Sequence, residues 1–436
     1  MSSYGTSPKD SEMRHAPQCS DLQSPRPTAE VVLACLGARQ HYEAAVLFHR
    51  ERSLSRLIVD AWNPLGNSLT RFANWVDCRP LQRFAGRYHQ DIPRRLVVAL
   101  QGFGFRYWLR CRAARSRSEL YSVFEQEGRR FAEKCAKHLD VDHDTFFGYS
   151  STSLEAIRHE RRFGRWCILD QIDPSRTEQR IVEEEEARFP DLVPDRTRIP
   201  DSYFARLDAE WNEASVVLVN SQWSRQALLE QGVDGSKIVV IPLFYRARVP
   251  PTGIFRRERR PSDPLKVLWL GTLCLRKGLP YALEAAKLLV GAPVSFSFAG
   301  GAGVPLEKLS LPENCRYLGA IPRVNVPAIY AQHDVFILPT LSDGFALTQV
   351  EALHYGLPVI ATPCCGEVVV HGKCGFIVPP RNARAIADAV LQLVEDHSLL
   401  RSMSLAAHRR ARDFSPDGLR QDWLKVIRPN AAAAPG

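Results

Sequence analysis

The chain is expected to be α/β, with two doubly wound parallel-sheet (Rossmann-like) domains facing a central cleft. Three observations lead there. The 436 residues exceed what one ordinary core accommodates. Short apolar runs ending at glycine or proline alternate with helical patterns in both halves. A stretch rich in Pro and Arg, without any period, separates the halves at Arg246 to Pro264. The expected organisation is a disordered lead-in over 1–28, a first domain over 29–245, a linker over 246–264, a second domain over 265–412, and a returning helix and tail over 413–436.

The lead-in, Met1 to Thr28, is polar and rich in Ser and Pro, without the apolar core of a signal peptide. The first strand candidate is Val31 to Leu36, which ends at Gly37; a helical pattern follows from His41 to about Arg50. Strand candidates follow at 57–59, 145–147, 167–169, 216–219 and 239–241. Between them, the run from Glu178 to Pro190, EQRIVEEEEARFP, suits a solvated helix face. After the linker the alternation restarts: a strand at 267–270 meets Gly271, with a helix over about 279–289. A strand at 295–298 runs into Gly300-Gly301-Ala302-Gly303, and strands at 335–338 and 359–362 flank one further helix. A last long helix spans about 383–395, and Trp423 is the expected anchor where the chain crosses back to the first domain.

Composition sets the setting. With 45% hydrophobic and 24% charged residues and no bilayer-length apolar run, a soluble cytoplasmic protein is expected. The eleven cysteines form no C-x-x-C pair, which fits reduced, mostly buried thiols. A net charge of +9 favours anionic partners: nucleic acid, an anionic membrane face, or a phosphorylated small molecule. The segment Arg94 to Arg117 interleaves arginines with Phe103, Phe105, Tyr107 and Trp108, and is the candidate for peripheral contact with an anionic membrane. Its other reading is a helix with one buried aromatic side. No zinc-finger, RRM or helix-turn-helix signature is present, so specific nucleic-acid binding is not expected.

Chemistry concentrates on the expected mouth of the second sheet. In PTLSDGFALTQVEALHYGLPVIATPCCGE, from Pro339 to Glu367, Asp343 and Glu351 are eight residues apart. With a helix starting near Phe345, Glu351 lies about 9 Å along its axis. One extended ligand can then meet a carboxylate at each end, and the unpaired helix-start amides suit phosphate or sugar oxygens. Gly344 permits close backbone approach. Taken alone, Asp343 is equally a helix cap and Glu351 a solvent-facing residue. LGTLCLRKGLP places Gly271 at a strand end and Arg276 and Lys277 before a helix, where two cations can neutralise a diphosphate. Gly300 marks a third strand-end loop on the same rim.

Taken together, LGTLCLRKG, FAGGAG, AQHDVFILPTLSDGFALTQVEALHYGLPVIAT and GEVVVHGKCGFIVPP resemble the donor domain of family-4 retaining glycosyltransferases with the GT-B fold. GARQHYEAAVLF, ILDQIDPS and EASVVLVNSQWSRQALLEQGVDGSKIVVIP resemble the first half more loosely. The resemblance implies a nucleotide diphosphate sugar as donor co-substrate, an acceptor that is not named, no cofactor and no metal, and a place in carbohydrate biosynthesis. It implies that Glu351 holds the ribose hydroxyls, and that Asp343, in place of the family's first Glu, faces the donor sugar. The backbone of Gly344, Phe345, Ala346 and Leu347 then meets sugar or phosphate. Lys277 matches the phosphate-binding Lys, and Gly37, Gly271, Gly300 and Arg323 complete the donor contacts.

Two positions depart from the family pattern. Thr272 stands where an Arg often follows the strand glycine, so Arg276 is its expected substitute. The strand end FFGYSST lacks the His of many relatives; Gln171, taken as the catalytic candidate beside Asp343 and Lys277, or His41, Tyr149 or Ser150, stands in for it. Asp140-Val141-Asp142 matches a metal-binding D-x-D but follows a helical pattern, so no metal is assigned to it. The alternative to an enzyme is a non-catalytic subunit that binds nucleotide sugars; an epimerase of the same fold ranks lower.

Overall fold

The five residues of β1 (Val31–Cys35) are all buried, as a strand covered by helices on both faces requires. The structure is a computed structural model that describes residues 29–76, 79–246 and 263–427. The lead-in over 1–28, most of the expected linker and the end of the tail lie outside the described residues. β1 is an interior strand of a seven-stranded parallel sheet with β2 (Leu54–Val59), β3 (Val97–Ala99), β4 (Thr145–Tyr149), β5 (Trp166–Gln171), β6 (Val216–Val219) and β7 (Ile238–Val240), in the order β3-β2-β1-β4-β5-β6-β7. A second parallel sheet is built from β8 (Leu265–Leu270), β9 (Val294–Ala299), β10 (Cys315–Gly319), β11 (Val335–Leu338), β12 (Val359–Ala361) and β13 (Gly375–Ile377), in the order β10-β9-β8-β11-β12-β13. This is the GT-B architecture of two Rossmann-like lobes.

Strand order reverses between β1 and β4 and between β8 and β11. The β1–β4 ladder runs from Val31↔Thr145 to Leu33↔Phe147, and that between β8 and β11 stops at Phe336↔Leu268. Both ladders end before their strands do, so the carboxyl ends part and open a crevice. Gly37 follows one reversal point; Gly271 and the loop after Leu338 border the other.

Three strands escaped the sequence reading: β3, β10 and β13. All three are sheet edges. An edge strand needs no continuous apolar run, and β10 is nowhere fully buried. Their registers come from the neighbouring strand, a non-local cause that a sequence window does not hold.

The final helix, Pro416–Val426, returns to the first lobe. Trp423 is fully buried there among Phe48, Phe147 and Phe244, and Arg420 pairs with Glu51. Among the described residues no helix is long and apolar enough to cross a membrane.

The acidic helix Arg176–Arg188 is not a solvated face. Glu178, Ile181 and Glu185 form one stripe, at the i, i+3, i+7 spacing of a helix side. Ile181 packs against the core of the second lobe. Glu185 has no exposed surface; it accepts from Arg381 Nε at 2.6 Å and from the Tyr281 hydroxyl at 2.8 Å. Glu184 takes the other arm of Arg381 at 2.7 Å. Partners across the lobes compensate the burial of these charges.

Candidate functional site

The loop after β11 sets the site. Ala346 has a φ of 56°, and a left-handed residue cannot continue a right-handed helix. The helix therefore spans Thr348–His354 and starts three residues later than expected. Glu351 lies in its first turn rather than two turns in. The Ala346 amide, expected to face sugar or phosphate, instead donates to Asp343 Oδ1 at 3.2 Å. Asp343 thus caps the loop with one oxygen.

Its other oxygen holds two cations. Lys277 Nζ and Arg276 Nη1 each reach Asp343 Oδ2 at 3.2 Å. Burial favours the neutral acid, but Lys277 and Arg276 outweigh it and hold the carboxyl below its ordinary range. Arg276 also donates to the Ser342 carbonyl at 2.6 Å and approaches Glu178 of the first lobe at 3.4 Å. Burial works against the Arg276 charge; Glu178 and Asp343 more than restore it and raise its pKa. Glu178 accepts from the Ser342 hydroxyl at 3.1 Å, and burial pushes its carboxyl up to about 7 against the pull of Arg276.

Gly344 is one of the points where the lobes touch. A Cβ on it would stand 2.1 Å from the Ile172 carbonyl and 2.8 Å from the Asn220 amide, so only glycine fits. Its own carbonyl accepts from Ser221 Oγ at 2.6 Å. Phe345 is buried; its ring lies against Gly366 and Phe414. Leu347 precedes the helix and packs into the core of the second lobe.

Beside this cluster a cavity of about 340 Å³ is lined by Gly271, Gly300, Ala320, Ile321, Arg323 and Glu351. Gly300 lies so close to Gly271 that a Cβ would stand 1.9 Å from the Gly271 carbonyl oxygen. The Lys277 side chain passes 3.7 Å from the Cβ position of Gly271, which links the cation cluster to this cavity. Glu351 accepts from the Tyr330 hydroxyl at 3.0 Å; burial raises its pKa, opposed by that bond and by Arg323. Thr348 also lines the cavity, and its Oγ1 is buried without a hydrogen-bond partner in the structure. A cavity wall with an unsatisfied hydroxyl suits a polar ligand.

A larger cleft, about 1130 Å³, lies between the lobes. It shares Ala320, Ile321 and Arg323 with the smaller cavity, so the two are continuous. His41 lines it, 5.3 Å from His89 between ring centroids. The helix expected from His41 starts at Glu43, because Gln40, His41 and Tyr42 all have positive φ (44°, 53° and 66°). Gly37 donates its amide to Asp60 at 2.9 Å, and Asp60 pairs with Arg87 at 3.1 Å. Burial raises the Asp60 pKa against the pull of Arg87.

Gln171 is a correction. It is fully buried, its Oε1 accepts from Trp211 at 2.9 Å, and its Nε2 donates to the Asp173 carbonyl at 2.9 Å. All its polar groups serve the first lobe, and none is presented to the cleft. Tyr149 and Ser150 are buried as well, which leaves His41 as the cleft-lining candidate of the four. Sequence reasoning missed Glu178, Asp60, Arg87 and Ser221. For Glu178 a signal existed in its helical spacing to Ile181 and Glu185. Asp60 and Arg87 meet only through folding, 27 residues apart.

Two facing lobes with a cavity at one strand-reversal point define a two-domain ligand-binding protein of the GT-B class. Residues 264–396 match the family described as glycosyl transferases group 1. The chain is 31% identical over 301 residues to the O-antigen chain mannosyltransferase B of Escherichia coli, covering 60% of this chain and 76% of that protein. It is 28% identical over 190 residues to a putative colanic acid biosynthesis glycosyltransferase of Salmonella typhimurium, covering 39% of this chain and about half (47%) of that protein. The chain belongs to this glycosyltransferase family. Among solved structures it resembles Anabaena Alr3699/HepE in complex with UDP and glucose, with a TM-score of 0.57, 16% identity, and coverage of 92% of this chain and 99% of that one. It also resembles the sucrose-phosphate synthase of Thermosynechococcus elongatus, with a TM-score of 0.59, 16% identity, and coverage of 92% and 98%.

Proposed function

We propose that this protein is a retaining, metal-independent glycosyltransferase that moves a glycosyl group from a nucleotide diphosphate sugar to a saccharide, lipid or small-molecule acceptor. One observation carries the reading. The cavity with Glu351 opens, through Ala320, Ile321 and Arg323, into the cleft between the lobes; Lys277 passes beside the cavity at Gly271, and Arg276 shares Asp343 with it. A donor in the small cavity then presents its sugar toward an acceptor in the large one.

The residues take distinct parts. Glu351, in reach of Tyr330, holds the ribose hydroxyls. Gly271 and Gly300 let the backbone approach the nucleotide, and Arg323 borders it. Lys277 and Arg276 leave Asp343 in part to meet the diphosphate, whose charge grows as the bond to the sugar breaks. Asp343 orients the sugar and balances positive charge on its ring. The Gly344 loop places this machinery against the first lobe. In the step itself the bond from the anomeric carbon to the phosphate oxygen breaks, and a bond to the acceptor oxygen forms on the same face. The acceptor's proton passes to the departing phosphate oxygen.

The setting proposed is cytoplasmic, with peripheral contact to an anionic bilayer face. The helix Gln101–Ala113 supports this by exposing Phe105, Trp108 and Leu109. Arg106 and Arg110 of that helix are held by Glu127, which leaves Arg112 over Trp108. Sedimentation with vesicles, with and without anionic lipid, tests it: binding only in the anionic case is expected.

The reaction is tested by incubating the full chain with a panel of nucleotide diphosphate sugars and candidate acceptors, and reading the product's anomeric proton coupling. Transfer with retained configuration, unchanged by EDTA, is expected. Inverted product, or transfer abolished by EDTA and restored by a divalent ion, would overturn the mechanism.

A further inference from the structure

The chain's formal excess of positive charge is +9, and one segment accounts for all of it. Residues 61–118 contain eleven arginines, no lysine, and only two acids, Asp77 and Asp91. Part of this segment is the first-lobe wall of the large cleft: Asn67, Thr70, Arg83, Arg87 and His89 all line it. Five arginines line the cleft in all, Arg50, Arg83, Arg87, Arg246 and Arg323, against two carboxylates, Glu43 and Asp91.

The pairing within the cleft is incomplete. Arg50 pairs with Asp91, Arg246 with Glu43, and Arg87 with the buried Asp60 behind the wall. Arg83 is exposed and has no carboxylate partner among the described residues. Arg323, from the second lobe, makes no ion pair among them and only pulls on Glu351 from a distance. Two guanidinium groups lining one concave site, one from each lobe, focus a positive potential where the proposed acceptor lies. Their planar forks match phosphate oxygens, and two unmatched charges match a dianion better than a carboxylate.

We infer that the acceptor is a phosphate-bearing molecule, held in the inter-lobe cleft with its phosphate between Arg83 and Arg323. The inference rests on the glycosyl-transfer reading, which makes this cleft the acceptor site. A lipid-linked and a free phosphate share this chemistry. At the same wall, the helix Asn67–Trp75 exposes Phe72 at 51% and Trp75 at 81%, next to Leu65 at 65%, so an apolar carrier has a surface beside the cleft.

The test measures binding of glucose 1-phosphate, methyl glucoside and glucuronate to the full chain, with and without saturating UDP. We expect glucose 1-phosphate to bind at least 10-fold more tightly than either other probe, with an affinity that falls steeply as salt rises. Arg83→Glu should remove most of that preference, Arg83→Lys should keep most of it, and UDP affinity should not change in either. Equal binding of phosphate and glucoside in the wild type overturns the inference, as does an unchanged phosphate preference in Arg83→Glu. Failure to bind UDP strikes the donor assignment instead, and the comparison of probes without UDP still decides the acceptor. Phosphatidylcholine vesicles with and without polyprenyl phosphate separate the two sources: Arg83-dependent capture assigns a lipid carrier, and response to the free phosphate alone assigns a soluble one.

Discussion

The two sides of the cleft handle charge in opposite ways. On the donor rim, Asp343, Lys277 and Arg276 neutralise one another within 3.2 Å, and Glu178 joins from the other lobe. On the acceptor wall, Arg83 faces the cleft with no partner among the described residues. The proposed donor site is thus assembled and charge-balanced without a ligand, and on that proposal a diphosphate would exchange for existing contacts. The acceptor wall leaves its charge for the ligand. A site that must bind many turnovers of one anion gains from preorganisation; a site that must choose among acceptors gains from an unmet charge.

The comparison breaks most sharply at Lys277. Lys277→Ala removes the cation nearest the cavity, and turnover should fall by about 100- to 1000-fold, with Arg276 left to carry the diphosphate. Steady-state kinetics with saturating donor reads it. Glu351→Ala should act on binding instead, raising the KM for the nucleotide sugar by about 10- to 100-fold through loss of a charged hydrogen bond. The two defects must separate between kcat and KM if the rim is divided as described.

The inter-lobe grip comes next. Arg381→Ala leaves Glu185 buried without its cation, and urea unfolding should show a loss of about 3 kcal/mol. The same variant should leave donor KM within a few-fold of wild type, because Arg381 is outside both cavities.

The smallest expected effect is on pH dependence. Burial pushes Asp170, Glu178 and Glu210 each up to about 7. Between their unfolded pKa values and 7 the folded state holds more protons than the unfolded one, so stability should fall as pH rises from about 5 to 8. Asp343 acts in the other direction and matters only in strong acid, because its pKa is lowered. Glu178→Gln should flatten the slope of Tm against pH over that range, and an unchanged slope removes Glu178 from the carboxyls with a raised pKa.

Much of this was legible before the structure. The central strands announce themselves because a strand covered on both faces must be apolar throughout, as β1 and β11 are. The grouping of Asp343, Arg276 and Lys277 at the mouth of the second sheet, with Glu351 on the adjoining cavity, was legible because these residues sit in short local motifs. The edges β3, β10 and β13 were not, because their partners define them. Nor was the double role of the acidic helix: charge alone does not tell a solvated glutamate from one that spans two lobes. Gln171 misled for a related reason, since a polar residue ending a strand reads the same whether it faces a cleft or caps a buried Trp211. The helix start shifted past Phe345 because Ala346 takes a left-handed backbone, which no pattern of residue types announces.

In the proposed reaction a nucleotide diphosphate sugar lies along the second lobe's rim, between Glu351 and the Lys277–Asp343 cluster. Calorimetric titration of the full chain with a panel of such sugars, alongside Glu351→Ala and Lys277→Ala, tests it most directly. At least one nucleotide sugar should bind the wild type, Glu351→Ala should weaken it by about 10-fold or more, and Lys277→Ala should bind it within a few-fold of wild type. Binding of equal strength in all three proteins would contradict this placement.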